Sequence, residues 1–427
     1  MSFREQKGGR TISTAACPAY CIVVFLLVSV GTLARAQPAK VFVNSAVLAI
    51  GERSALLDLK SQRIVSSGES FDSDLSFRPG SEPRKVSEFQ CELFRDVETG
   101  RLRYEWQRQD LYPFEETWNY IEVVNGLEGV VQGADGYDRP AERAMSASRV
   151  AARLKEIGRS PVSVLIQALS RADSFLRLMD EVVDGRRQVV VSYNANAQLV
   201  VLAIDADTRL LTKVAFVEDD PLLGDVRNEV YFDDWRLVGT LKLPFERTYW
   251  VNGQKVRVER VHLIQNDFDL SYVDFTIPET IEQSEEWNGE RGEFSSHWVL
   301  RQAARGNLID NPPYEIELLE IVPGVMHVLG GAYRSLVIEM ADYLIVVEAP
   351  GNDLHSRSVL KVLNNEFPNK KVRFVINTHF HSDHAGGLRT YVAADAIVVT
   401  SSINLELFQN AFRTLHTRVP DALQLRL

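Results

Sequence analysis

Cysteine is scarce in this chain, with three in 427 residues, and two of them, Cys17 and Cys21, fall in the first few dozen positions. If that region is removed, Cys91 is left alone, so no internal disulfide can form, and the simplest reading of Cys91 is a small buried apolar side chain. Long apolar runs are missing too. The longest, from Cys21 to Leu33, spans about 13 residues, against roughly 20 for a helix that crosses a bilayer. No cluster of lysine and arginine offsets the formal charge of −11. Without such a cluster a protein cannot neutralise a phosphate backbone, which excludes nucleic-acid binding and makes acidic polymers poor substrates.

What is present begins with a charged leader. Arg4, Lys7 and Arg10 precede the apolar stretch, and Ala34, Arg35 and Ala36 follow it. This is the layout of a secretory signal peptide over residues 1–36, cleaved after Ala36. Removal takes away four basic and one acidic side chain and leaves a more acidic protein. Cys21 lacks the small-residue context of a lipid-modified cysteine. The expected location is periplasmic or secreted, with no stable membrane span after cleavage. Export without disulfides suits a bacterial periplasm better than a eukaryotic exterior.

The mature chain divides by composition. Residues 41–278 read as a sheet-rich amino-terminal domain. Strands are expected near Tyr104–Leu111 and Trp118–Val124, and helices from Ser146 and from Val162 to Met179, with Pro161 in the first turn of the second. A series of period-two strands follows: Gln188–Tyr193, Gln198–Asp205, Leu210–Val217, Arg227–Trp235 and Arg247–Val261. Asn252-Gly253 marks a tight hairpin inside the last of these. Residues 279–312, rich in Glu, Ser, Gly and Asn, read as a linker. From 313 to 427 a second module shows short branched strands and then alternating helices and strands. The fold class is therefore α+β.

The densest chemistry is Thr378-His379-Phe380-His381-Ser382-Asp383-His384-Ala385-Gly386-Gly387, directly after the apolar run Val372–Ile376. Four potential metal ligands in six residues are costly to place beyond a buried strand unless a cation balances them, and histidines with an acid suit zinc. The spacing lets His379 and His381 serve one ion while Asp383 and His384 reach a second. Two such ions can hold a bridging hydroxide and polarise a scissile bond. Gly386 and Gly387 are expected to let the backbone pass close to the ions. No nucleophilic serine elbow or phosphate-cradling glycine loop competes, which leaves a metal-bound hydroxide as the attacking group.

At these residues the chain resembles the metallo-β-lactamase superfamily, from Tyr314 onward. The resemblance implies a partial αββα fold and two zinc ions. It makes His379 and His381 ligands of the first zinc and Asp383 and His384 those of the second, with Asp383 also expected to orient the hydroxide. The family's further ligands normally follow some tens of residues later, so the module reads as its amino-terminal half only. A partner or oligomer covering the exposed face would then be needed. His416 reads as a surface histidine. Glu348, where many members have Asp, is expected to support the histidine loop by hydrogen bonds. His262, His297, His327 and His355 read as structural or solvated.

Two functions remain open. One is an exported zinc-dependent hydrolase acting on a small-molecule ester, thioester, lactone or related bond. The other is a carrier. Helices ahead of a multi-stranded sheet are similar in layout to the incomplete barrel of periplasmic lipoprotein-carrier proteins, in which case the second module would not catalyse. A plain sheet domain that shapes the hydrolase entrance is the simpler reading of the same pattern.

Overall fold

The computed structural model describes residues 38–136, 140–195, 198–282, 294–304, 314–331 and 333–426. The expected leader lies outside them. Among the described residues, no helix is long and apolar enough to cross a membrane.

Two antiparallel meanders are fused into one sheet of 14 strands. The first runs inward from Glu142–Ala144 through Glu128–Gly133, Glu116–Asn125, Leu102–Asp110 and Arg84–Asp96 to Ser61–Asp72. The second runs outward from Gln254–Asn266 through Leu241–Val251, Gly224–Val238, Leu211–Asp220 and Gln198–Asp205 to Arg186–Ala195. They join where Ser61–Asp72 pairs with Gln254–Asn266, with Gln62 opposite Asn266 and Ser70 opposite Arg257. Burial follows the two-residue period: in Arg84–Asp96, Phe89, Cys91 and Leu93 are buried while Glu88 and Gln90 are exposed. Cys91 is free and buried, as expected. Asn252 and Gly253 both take positive φ, the two-residue turn that joins twisted strands without splaying them.

Helices cover the buried face. Ala39–Ile50 turns Val43, Ala46, Val47 and Ile50 into the core at three- and four-residue spacing, and sequence periodicity alone did not single it out. Ala147–Gly158 starts at Ser146, whose hydroxyl accepts the Arg149 N–H at 3.3 Å. The helix opened by Pro161 stops at Leu169, ten residues before the expected Met179. Beyond it the chain needs a different geometry, because Leu176–Arg177 pairs with the strand Arg186–Ala195 at the sheet's end.

The stretch read as a linker contains a helix, Ser296–Ala304. Phe294, Trp298, Val299 and Ala303 pack with Ala152 of the helix Ala147–Gly158. The buried Glu218 carboxylate accepts the Ser296 N–H at 3.1 Å and also meets Lys155 and Arg159. The polar composition concealed an amphipathic segment whose apolar side needs only four residues. Flanking stretches 283–293 and 305–313 lie outside the described residues.

A second, mixed sheet has six strands: Glu317–Val322, Val325–Leu329, Ser335–Glu339, Tyr343–Val347, Lys371–Ile376 and Ile397–Val399. The first four are antiparallel and the last two add in parallel. Parallel neighbours need crossovers, supplied here by Asp353–Glu366 and Leu388–Ala393. Val328, Val337, Val346 and Val375 bury one face together with Val359, Leu363 and Tyr391, while Leu336, Ile338 and Ile345 on the other face are only half-buried. Leu222, from the amino-terminal sheet, belongs to this same core.

His416 is not on the surface. It is 1% exposed, and its Nδ1 lies 3.1 Å from Asp219 Oδ1 of the large sheet. Burial raises the Asp219 carboxyl to about 6, partly offset by His416.

Inside the large sheet sits a buried ionic cluster. Glu122 accepts hydrogen bonds from Trp106 Nε1 at 2.9 Å, Arg149 Nε at 2.6 Å and Arg153 Nε at 2.7 Å. Burial works to raise its pKa, but the two guanidinium groups outweigh it and hold the carboxyl down to about 2. Glu122→Gln strands buried arginine charge, and urea unfolding at neutral pH should show a loss of about 3 kcal/mol. Because the folded pKa lies below the ordinary 4.5, the carboxylate's contribution is complete above about pH 4.5 and fades toward pH 2. The gap between parent and variant should therefore narrow on acidification.

Candidate metal centre

Parallel strands present their carboxyl ends side by side, and that is where this site forms. Val347 pairs with Ile376 at the ends of Tyr343–Val347 and Lys371–Ile376, so Glu348 and Asn377 leave the sheet together. Glu348 N–H donates to Ile376 O at 2.8 Å. Its carboxylate accepts the Thr378 N–H at 3.1 Å and the Asn377 side-chain amide at 3.3 Å. Glu348 adopts φ +69°, a left-handed backbone that a non-glycine residue takes only when its surroundings fix it. The supporting role expected of Glu348 is thus visible as geometry: it braces the first turn of the histidine loop and lies 3.5 Å from His384 Nδ1.

Ligand atoms of His379, Asp383 and His384 all lie within 4.8 Å of one another. The His379 and His384 rings are 4.0 Å apart between centroids. Asp383 Oδ1 is buried without a hydrogen-bond partner, an arrangement that costs free energy unless a cation or proton fills the space. Donor type, convergence and unmet capacity all fit a divalent transition metal. Electrostatics differ across the group. Burial opposes charge on His384, yet Glu348 and Asp383 prevail and lift its pKa above the usual value. Burial, followed by the neighbouring His384 and His381, pushes His379 below its usual value.

His381 stands apart from the other three. Its ring lies 4.6 Å from that of His379, but Nε2 faces Ser76 O at 3.2 Å, outside the convergent group. The glycines also act differently from expectation. A Cβ on Gly386 would lie 2.0 Å from Gly351 O, and one on Gly387 2.0 Å from Ser356 Oγ. They admit the neighbouring loop and helix rather than an ion.

Residues from the large sheet complete the surroundings. Asp74, just past Ser61–Asp72, accepts the Ser382 N–H at 2.8 Å and the Ser382 hydroxyl at 2.7 Å. It thereby caps the short helix Ser382–Ala385 that carries Asp383 and His384. Gln302 donates to the same hydroxyl at 3.3 Å, and Arg301 reaches Asp72 at 3.1 Å and Asp74 at 4.0 Å. These partners lie some 80 to 308 positions from Ser382 in sequence or brace those that do, and no local pattern marks them. Elsewhere, His262 bonds Ser67 Oγ at 2.7 Å, and His355 is buried against Tyr314 with its pKa brought down to about 4 by burial. His327 sits in a strand and His297 in the helix Ser296–Ala304.

Comparison with curated proteins gives no match. Among solved structures, a metallo-β-lactamase from Hirschia baltica shares 24% identity at a TM-score of 0.20, over 22% of this chain and 47% of that one. The chain spans about half the length of the solved metallo-β-lactamases it matches. A DUF1329 family protein from Desulfovibrio piger gives 14% identity and a TM-score of 0.31, over 56% of this chain and 98% of its own. A LolA superfamily protein from Nitrosomonas europaea gives 10% and 0.31, over 54% and 94%. The family model "Metallo-beta-lactamase superfamily" matches residues 336–412, which run from the third strand of the mixed sheet through the ligand loop. Over this segment the chain is similar to the metallo-β-lactamase superfamily.

Proposed function

We propose that the protein is an exported zinc-dependent hydrolase of esters, thioesters, lactones or related bonds, with His379, Asp383 and His384 as metal ligands and His381 as a fourth. The observation that carries this is the convergence of three ligand atoms within 4.8 Å, with Asp383 Oδ1 buried and without a hydrogen-bond partner. The six-stranded mixed sheet with its helices is read as part of an αββα fold. When bound, zinc would supply Lewis-acid polarisation of the scissile bond and lower the pKa of water. The chain's own residues do the rest. Glu348 orients His384, Asp74 fixes the turn that carries two ligands, and Asp383 Oδ1 can accept a hydrogen bond from the attacking water. As a ligand, His381 would give up its Ser76 carbonyl contact.

A carrier function is the second reading, supported by the cavity on the inward face of the large sheet. Metal content separates the two. The hydrolase reading expects about two zinc ions per purified chain by mass spectrometry, and turnover of 4-nitrophenyl acetate that chelation abolishes and zinc restores. His384→Ala should lower zinc to about one or fewer; zinc content equal to the parent's would overturn the ligand assignment.

Asp74 gives a separate test, because it holds the Ser382 backbone and hydroxyl at the start of the ligand helix. Asp74→Ala should weaken zinc binding about tenfold in competition with a chromogenic chelator, while Asp74→Asn, which keeps an acceptor for the Ser382 N–H, should restore most of it. Equal affinity in Asp74→Ala and the parent would show that the large sheet does not position the site.

A further inference from the structure

A cavity of about 430 Å³ lies on the inward face of the large sheet, and Asp383 forms part of its wall. That volume falls within the range of small-molecule sites, roughly 300–1,000 Å³. Its sides are aromatic: Phe71, Phe89, Trp106, Trp118, Tyr249 and Trp250. The helix Ser296–Ala304 adds Leu300 and Arg301, and Asp72 and Arg301 stand with Asp383 among the polar wall residues.

Arginines also line the cavity, but each is already matched. Arg108 meets Asp110 at 2.9 Å, Arg153 meets Glu122 and Glu156 at 2.7 Å, and Arg257 meets Glu156 at 2.9 Å. Arg159 pairs with Glu218, and Arg301 with Asp72 at 3.1 Å. An anionic group entering this space would have to displace an internal carboxylate from a buried pair, at the cost of leaving that carboxylate uncompensated. An uncharged apolar body carries no such penalty and gains contact with flat aromatic walls.

We propose that this cavity is the chamber for the uncharged acyl or aryl portion of the substrate, a neutral ester, thioester or lactone whose reacting carbonyl lies at the Asp383 wall. The inference rests on the hydrolase reading for its chemistry and on the cavity alone for its binding. It assigns the large sheet the choice of substrate and the mixed sheet the reaction.

The test uses the full chain with 2-decanone, an uncharged apolar ketone that cannot be hydrolysed, titrated calorimetrically into metal-free protein. Ser87 points into the cavity from the inward face of Arg84–Asp96, and Glu88 beside it points out. Ser87→Trp fills the chamber and should raise the 2-decanone Kd about tenfold, whereas Glu88→Trp should leave it within about twofold. Leu300→Trp obstructs the same space from the helix, so a Ser87→Trp chain that fails to fold does not remove the test. In zinc-loaded protein, both obstructing variants should lower kcat/KM for 4-nitrophenyl octanoate about tenfold and leave the acetate ester within about twofold. Zinc bound by the parent with no 2-decanone binding, or folded obstructing variants with an unchanged Kd, would overturn the chamber and leave the hydrolase reading standing. Binding of 2-decanone by a parent that takes up no zinc would support the chamber and overturn the hydrolase reading.

Discussion

The pairing of Ser61–Asp72 with Gln254–Asn266 does two things at once. It closes the two meanders into one continuous sheet, satisfying backbone groups on both sides of Ser61–Asp72. It also fixes where that strand ends, and its end delivers Asp72, Asp74 and Ser76 to the ligand loop. Asp74 holds the backbone of Ser382, so the register of a strand in one sheet sets the position of Asp383 and His384 beyond the other.

The ligand loop is held from the opposite direction by Glu348. A residue kept at φ +69° with both carboxylate oxygens engaged is a rigid post, and its neighbour His384 takes its raised pKa from that proximity. His379 shifts the opposite way, because burial and the two neighbouring imidazoles outweigh Asp383 and Glu348 there. One six-residue loop therefore offers a basic and a less basic imidazole next to an acid, each set by a different element of the fold.

Much of this was readable in the residues. The period-two segment Gln198–Asp205 became a strand with those bounds, because local pattern and tertiary burial agree there. Asn252-Gly253 specified its turn through φ alone. Contacts between distant positions were not readable: Asp74 with Ser382, Gln302 with Ser382, and His416 with Asp219. His416 looked solvated because Leu415, Thr417 and Arg418 surround it in sequence, and its burial depends on a sheet two hundred positions earlier. The glycines after His384 were recognised as close-approach positions, but the approaching group is Gly351 and Ser356.

The hairpin between Leu211–Asp220 and Gly224–Val238 carries Leu222 into the core of the mixed sheet, where burying a leucine contributes about 1.5–3 kcal/mol. Gly224 permits this at φ +71°, with Leu415 O only 2.4 Å from where a Cβ would stand. The two sheets consequently share a hydrophobic interior in the manner of a plug and socket. Separating the gene within 279–312 would uncork both pieces: the first would carry a bare leucine at its tip, and the second would lose that side chain from its core.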